Sequence, residues 1–170
     1  RPPLTGDVQA DVCVVGGGIA GCATALFLAE RGYRVVLLEG HRIAFGASGR
    51  SGGQAIVGYA CSQDKLISQV GKSDAKKMFD VSVDALGPDP DPGRVQDGGL
   101  RDDRSGHLHP LNYPLGLAAA AEAAGVKIHE QAMVVGIEHG STVRVRTAAG
   151  PSVRAQHVAL CCNAFVDEKI

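Results

Sequence analysis

The feature that most constrains this chain is Gly16-x-Gly18-x-x-Gly21, set between a β-branched run and a segment with helical signals. Asp11-Val-Cys-Val-Val15 is short and apolar, as a strand buried on both faces must be, and Gly16-Gly-Gly18 ends it in a tight turn. Ile19 to Arg31 then reads as a helix with Ala20, Ala23, Phe27 and Leu28 on its inner side, stopped by Gly32. Arg34 to Glu39 is a second strand, which completes one βαβ unit. Each glycine has a task in such a unit. Gly16 permits the sharp turn, Gly18 lets backbone approach a pyrophosphate with no Cβ in the way, and Gly21 lets the helix press against the strands. The helix N-terminus adds free N–H donors and partial positive charge, worth about 0.3–2 kcal/mol beside an anion. Glu39 follows the middle glycine by about twenty positions, where an acid can accept both ribose hydroxyl hydrogens. Its charge would repel a 2′-phosphate, which argues against an NADP site.

Composition narrows the partners. The 170 residues suit one domain or a little more, and the 45% apolar and 21% charged content is that of a globular protein rather than a disordered or fibrous one. With 17 basic against 18 acidic residues there is no broad basic surface to neutralise a phosphate backbone, so nucleic acid is excluded as a partner class. Five cysteines without a C-x-x-C pair read as reduced thiols, mostly buried, in a cytoplasmic protein. No apolar run approaches the roughly 20 residues of a membrane helix, and Arg1 to Asp11 lacks the apolar stretch of a signal peptide, so no membrane association is expected.

Gly40 to Gly58 is a Gly- and Ser-rich loop containing Gly46-Ala-Ser48-Gly-Arg50-Ser-Gly52-Gly53-Gln54, which reads as a second phosphate-cradling loop. An NAD dehydrogenase usually follows its acid with another plain α/β unit, so this loop disfavours that class. Asp64 to Gly71 and Ser73 to Leu86 read as helices, the second with a core stripe of Met78, Phe79, Val83 and Leu86. Gly87-Pro-Asp-Pro-Asp-Pro-Gly93 permits neither helix nor ladder. Beyond it, Asn112 to Ala124 is an Ala-rich helix stopped by Gly125, and Val126 to His129 is a strand. Val134 to His139, Val143 to Thr147 and Val153 to Ala155 alternate as antiparallel strands, and Val158 to Cys162 is an apolar run that re-enters the parallel sheet. Three segments follow: 1–60, the βαβ unit with its Gly-rich loop; 61–100, a helical excursion with a Pro/Gly-rich break; and 101–170, a helix, antiparallel strands and a return strand.

The remaining polar residues carry less. His107-x-His109 has no third ligand at convincing spacing, so no metal site is assigned. Cys161-Cys162 read as core thiols, because neighbours on a strand point to opposite faces. Arg101-Asp-Asp-Arg104 reads as a solvated turn, and without a G-x-S-x-G elbow a hydrolase is unsupported.

Five stretches together resemble the D-amino-acid oxidase superfamily of FAD enzymes, nearest to its gamma-glutamylputrescine oxidase and glycine oxidase type. They are Asp11 to Gly21, Leu37-Leu-Glu39, Gly46 to Gln54, Gly106-His-Leu-His-Pro110 and Leu160-Cys-Cys-Asn-Ala164. The resemblance implies a Rossmann-like α/β FAD-binding domain, a parallel sheet with helices plus a small antiparallel sheet, with the substrate domain largely absent from a partial chain. It implies that Gly16, Gly18 and Gly21, with Ile19 and Ala20, hold the pyrophosphate, that Glu39 holds the ribose, and that Gly40, His41 and Arg42 border adenine. Ala47, Ser48, Gly49, Arg50, Gly52, Gly53 and Gln54 would approach the pyrophosphate, ribityl chain and flavin, with Val134 beside adenine through its backbone. Asn163 and Ala164 stand where many relatives carry a glycine near the cofactor phosphate. The implied activity is oxidation of the C–N bond of a small amine or amino acid with oxygen as acceptor. The alternative is a truncated module that binds FAD or ADP without turnover. Because the flavin carries out the hard step in such enzymes, no catalytic side chain is assigned.

Overall fold

The structure is a computed structural model that describes residues 1–85, 95–96, 99–100 and 105–163. Its largest element is a six-stranded mixed sheet, built from β1 (Val8–Val15), β2 (Val35–Leu38), β7 (Lys127–His129), β8 (Val134–Glu138), β9 (Val143–Thr147) and β10 (Ser152–Leu160), in the order β7-β2-β1-β10-β9-β8. The first four strands in that order run parallel, while β9 and β8 are antiparallel to their neighbours. The α/β class holds, with one difference in detail. Val153 to Ala155 and the run from Val158 as far as Leu160 are one strand, β10, whose first half pairs with β9 and which pairs with β1 from Val153 to Leu160, while Cys161 and Cys162 lie just beyond it. Gln156 and His157 contain no turn residue, so nothing interrupts the ladder, and the antiparallel strands extend the main sheet.

Alternation along β1 divides the core. Val12 and Val14 join Val35 and Leu37 on one face, under helices α1 (Ile19–Glu30) and α3 (Asn112–Ala123), through Cys22, Ala25, Ala118 and Ala121. Cys13 and Val15 join Val36, Leu38, Val145 and Val153 on the other. Complete burial pushes the thiol of Cys13 up to about 12, and burial also pushes Cys22 up, to about 11. The inner side of α1 is formed by Gly21, Cys22 and Ala25, and of the expected set Leu28 packs against the same core and Ala23 is half-buried, whereas Ala20 is exposed and Phe27 is 54% exposed, with the Arg31 guanidinium 5.9 Å from its ring centre. Gly21 lies against the Gly16 turn with no room for a Cβ, which puts the buried stripe of the helix on Gly21, Cys22 and Ala25.

Both helices end in the same way. After α1, Gly32 (φ 87°) donates to the Ala29 carbonyl and Tyr33 to the Leu28 carbonyl; after α3, Gly125 (φ 97°) donates to Glu122 and Val126 to Ala121. These paired bonds satisfy carbonyls that would otherwise be left over and turn the chain directly into β2 and β7. The N-terminus of α3 is closed by His109, whose Nδ1 accepts from the Asn112 N–H at 3.2 Å.

The chain divides into two units, residues 1–51 with 109–170, and residues 52–108. The second contains α2 (Gln63–Asp84), broken at Gly71 (φ 82°), as the two separate helical readings require. It also has two small antiparallel pairs: β3 (Gln54–Ala55) with β6 (Gly106–His107), and β4 (Val95–Gln96) with β5 (Gly99–Leu100). The stripe expected to be core is only partly so. Met78 and Val83 are half-buried and Phe79 is 40% exposed, while Leu66 and Ala75 are the buried residues of the helix. Among the described residues of this unit the helix meets a loop, through Tyr59 Oη on the Met78 carbonyl and the Gly58 N–H on Ser82 Oγ, which is too little to cover a whole face. Leu86, the 87–93 stretch and Arg101 to Arg104 lie outside the described residues.

Candidate nucleotide-binding cleft

A cleft of about 600 Å³ opens at the C-terminal ends of the parallel strands, where doubly wound sheets place their ligands. All of its lining belongs to the first unit. Its floor is the turn after β1. Gly16 takes φ 108°, a region closed to most side chains, and donates to the Leu38 carbonyl at 2.8 Å. A Cβ at Gly16 would lie 2.6 Å from the Cys161 carbonyl oxygen, and one at Gly21 would enter the Gly16 carbonyl, so both positions are fixed by backbone packing. Gly18 caps α1 and faces the cleft. A Cβ there would stand 2.8 Å from Ser48 Oγ, so the missing side chain lets the Ser48 hydroxyl reach the helix N-terminus.

Ser48 sits in the short 3-10 helix Ala47–Gly49, and its hydroxyl accepts from the Ile19 N–H, the first donor of α1, at 3.0 Å. The second glycine-rich loop is thus joined to the helix N-terminus by a group that occupies the anion-binding position. Glu39 is more heavily engaged than expected. Its Oε2 accepts from the Gly17 N–H at 2.7 Å and its Oε1 from the His41 N–H at 2.8 Å. A carboxylate has about four lone-pair sites, so capacity for ribose hydroxyls remains after these two bonds. Backbone on the far side closes the wall: Ala132 donates to the Glu39 carbonyl and Gln131 to the His41 carbonyl, each at 2.8 Å.

Of the residues singled out in the sequence, Gly16, Gly18, Glu39, Gly40, His41, Ala47, Ser48, Arg50, Val134 and Asn163 line this cleft. Ile19 contributes through its N–H, Gly21 packs behind Gly16, and Gly49 fits a space where a Cβ would strike the Ala44 carbonyl. Ala20 and the Arg42 side chain are exposed and outside the lining, and the Arg42 carbonyl accepts from the Phe45 N–H. Gly52, Gly53 and Gln54 belong to the second unit, where Gln54 pairs with His107 and the Gly53 carbonyl accepts from Leu108. Ala164 lies outside the described residues.

Sequence reasoning missed Gly17, Phe45, Met133, Cys161 and Cys162, all of which line the cleft. Gly17 is the unspecified position of the glycine motif, and Met133 is adjacent to Val134. Met133 passes close over Gly40, where a Cβ would meet its Cε at 2.7 Å. The two cysteines do pack to opposite faces, although they stand just past the end of the strand, but both are half-buried at the cleft rather than core, and burial pushes the Cys162 thiol up. Among the described residues the three non-glycine positions with left-handed φ are Ala44, Gln131 and Asn163, each lining the cleft or adjacent to a residue that does. Strain gathered in this way is characteristic of ligand clamps. No helix of the described residues is long and apolar enough to cross a membrane.

Comparison with known proteins agrees with this geometry. The chain is 38% identical to the probable oxidoreductase OrdL of Haemophilus influenzae and 30% identical to the gamma-glutamylputrescine oxidoreductase of Escherichia coli, in each case over 98% of the chain and 52% of the relative. It therefore spans about half the length of these curated relatives. Among solved structures it is similar to glycine oxidase from Geobacillus kaustophilus (TM-score 0.66, 19% identity, 90% of this chain and 55% of that one). It is also similar to L-amino acid deaminase from Proteus myxofaciens (TM-score 0.67, 25% identity, 94% and 46%). The family model described as FAD dependent oxidoreductase matches residues 11–89 and 64–170, nearly the whole chain, which belongs to that family, DAO.

Proposed function

We propose that the cleft binds the ADP half of FAD, and that the protein oxidises the C–N bond of a small amine or amino acid with oxygen as acceptor. The observation that carries the first part is the coincidence, in one cleft, of a helix N-terminus capped by a glycine, a serine hydroxyl bonded to its first N–H, and an acid at the end of the second strand. In this reading Gly16, Gly18, Ile19 and Ala20 hold the pyrophosphate, the Ile19 N–H by exchanging the Ser48 hydroxyl for a phosphate oxygen. Glu39 takes the ribose hydroxyls, and Gly40, His41 and the Val134 backbone border adenine. Ser48 and Arg50 complete the anion site. Residues 1–60 and 101–170 together form the nucleotide-binding part, and 61–100 is an excursion from it. The bound flavin supplies the hydride-accepting chemistry, and the chain's own residues bind, orient and exclude water. Amine oxidation is supported by the gamma-glutamylputrescine oxidoreductase relative, and a cytoplasmic location by five cysteines that are all free thiols.

Titration calorimetry with ADP and with FAD tests the binding site. The chain is expected to bind ADP, and Gly18→Val is expected to abolish binding while the circular dichroism spectrum is kept, because a branched side chain displaces Ser48 and covers the helix N-terminus where the pyrophosphate would approach. A wild-type chain that binds neither ligand would refute the reading. A second reading, a nucleotide-binding module without turnover, applies to the 170-residue chain by itself and is supported by its covering only 52% of its relatives.

A further inference from the structure

The loop between Glu39 and Ser51 contains a contact that the glycine motif does not account for. The His41 ring lies 4.3 Å from the Phe45 ring, centre to centre, with an interplanar angle of 31°. The Arg50 guanidinium lies 4.9 Å from the same Phe45 ring centre, and Arg50 Nε donates to the Phe45 carbonyl at 2.7 Å. All three side chains line the cleft, and Phe45 is 47% exposed there although it is a large apolar ring. The Nε bond and the ring contact fix the guanidinium plane, and the Nη fork of that plane is the part that matches a phosphate in two-point contact.

The backbone beneath is held as if this arrangement mattered. His41 donates to Glu39 and accepts from Gln131, while Ala44, at φ 63° and 4% exposed, donates to the Gly17 carbonyl at 2.9 Å. A left-handed alanine next to Phe45 is a conformation that persists only where its surroundings over-determine it. The three side chains therefore form a column from the strand end, where Glu39 and His41 stand, to Arg50, two residues after the serine at the helix N-terminus.

We propose that Phe45 is a positioning residue: its ring holds Arg50 as a clamp for the second phosphate of the ligand and joins that clamp to His41, so that the cleft selects a nucleoside diphosphate over a nucleoside. This deepens the ADP-site reading above and rests on it. The role is indirect, because Phe45 carries no charge and acts through the guanidinium it orients.

The test is a set of titrations of the whole chain with ADP, AMP, adenosine and inorganic pyrophosphate, using wild type, Phe45→Ala, Phe45→Tyr, Arg50→Ala and the double variant. Phe45→Ala is expected to weaken ADP and pyrophosphate about tenfold and adenosine less than about twofold, with Phe45→Tyr restoring wild-type values because its ring presents the same face. The double variant is expected to lose no more than Arg50→Ala, as members of one coupled unit do. A second measurement does not depend on nucleotide. The Arg50 Nε–H resonance should be displaced by the Phe45 ring current, collapse toward the free-arginine position in Phe45→Ala, and be retained in Phe45→Tyr. Equal losses for ADP and adenosine, or no loss for pyrophosphate, would overturn the proposal. So would an Arg50 resonance that ignores Phe45. If the wild type fails to bind ADP, the ADP-site reading falls, while pyrophosphate binding and the Arg50 resonance still decide the role of Phe45.

Discussion

Glu39 is where sequence logic and geometry meet most closely at the scale of single residues. The motif assigns it to a ribose, and the structure adds that its two oxygens already hold the Gly17 and His41 N–H groups. Glu39→Ala is therefore expected to do two things. It should weaken ADP binding by about 1.5–3 kcal/mol, the range for a hydrogen bond to a charged group. It should also lower the melting temperature of the nucleotide-free chain, because two N–H donors lose their acceptor. Calorimetry and a thermal melt separate the effects: a changed melt with unchanged affinity would remove Glu39 from the ribose and leave it as a brace for the loop. The residues legible in advance were those whose task depends on backbone shape or chain spacing, such as Gly16, Gly18, Gly21 and Glu39. Phe45 and Met133 were not, since their place in the cleft depends on where a long loop folds back, and no periodicity encodes that. Cys161 and Cys162 were misplaced for a related reason: an apolar run predicts burial, but the strand ends at Leu160 and the cysteines stand just past it, at the cleft.

At the scale of elements, the helix stops were the most legible part of the sequence, because Gly32 and Gly125 serve a purpose that few other residues can. Both take positive φ with nothing within 4 Å of where a Cβ would stand, so substitution there is conformational strain without a clash. Gly125→Ala is expected to destabilise the chain by about 1–2 kcal/mol, the cost of a left-handed non-glycine residue. Urea denaturation checks this, and an unchanged midpoint would mean that α3 ends in another way. Strand β9 has the bounds the alternation predicts, Val143–Thr147, because every second residue faces the core. The two-residue strands β3 to β6 had no such signal, being too short for a period to register. The expected inner face of α1 holds at Leu28 but not at Ala20 or Phe27, because the close approach of Gly21 to the turn centres the buried stripe on Gly21, Cys22 and Ala25.

For the molecule as a whole, the similarity to relatives of which the chain spans about half has a measurable consequence. Their alignments run over 228 and 222 residues, more than the 170 of the chain, so part of each relative lies opposite no residue here. The 170-residue chain is expected to bind FAD little more tightly than ADP, because a flavin ring left in water gains little of the roughly 25 cal/mol per Å² that burial supplies. It is also expected to show no amine-dependent flavin bleaching, since substrate positioning worth about 7–11 kcal/mol in well-oriented systems would be missing. Anaerobic stopped-flow with a panel of amines measures both, and rapid bleaching at low substrate would overturn the expectation. The continuous strand β10 carries a different consequence, for synthesis. It lies between β1 and β9 and ties Asp7 to Ser152, 145 positions apart. At about 5–20 residues per second, translation leaves one edge of β1 without its neighbour for roughly 7–30 s after it is made. The first strand, helix and second strand emerge early but cannot bury both faces of the sheet alone, and an open apolar edge is a template for wrong pairing. The newborn chain is thus most vulnerable to aggregation in that interval, which closes when the segment around Ser152 to Leu160 leaves the ribosome.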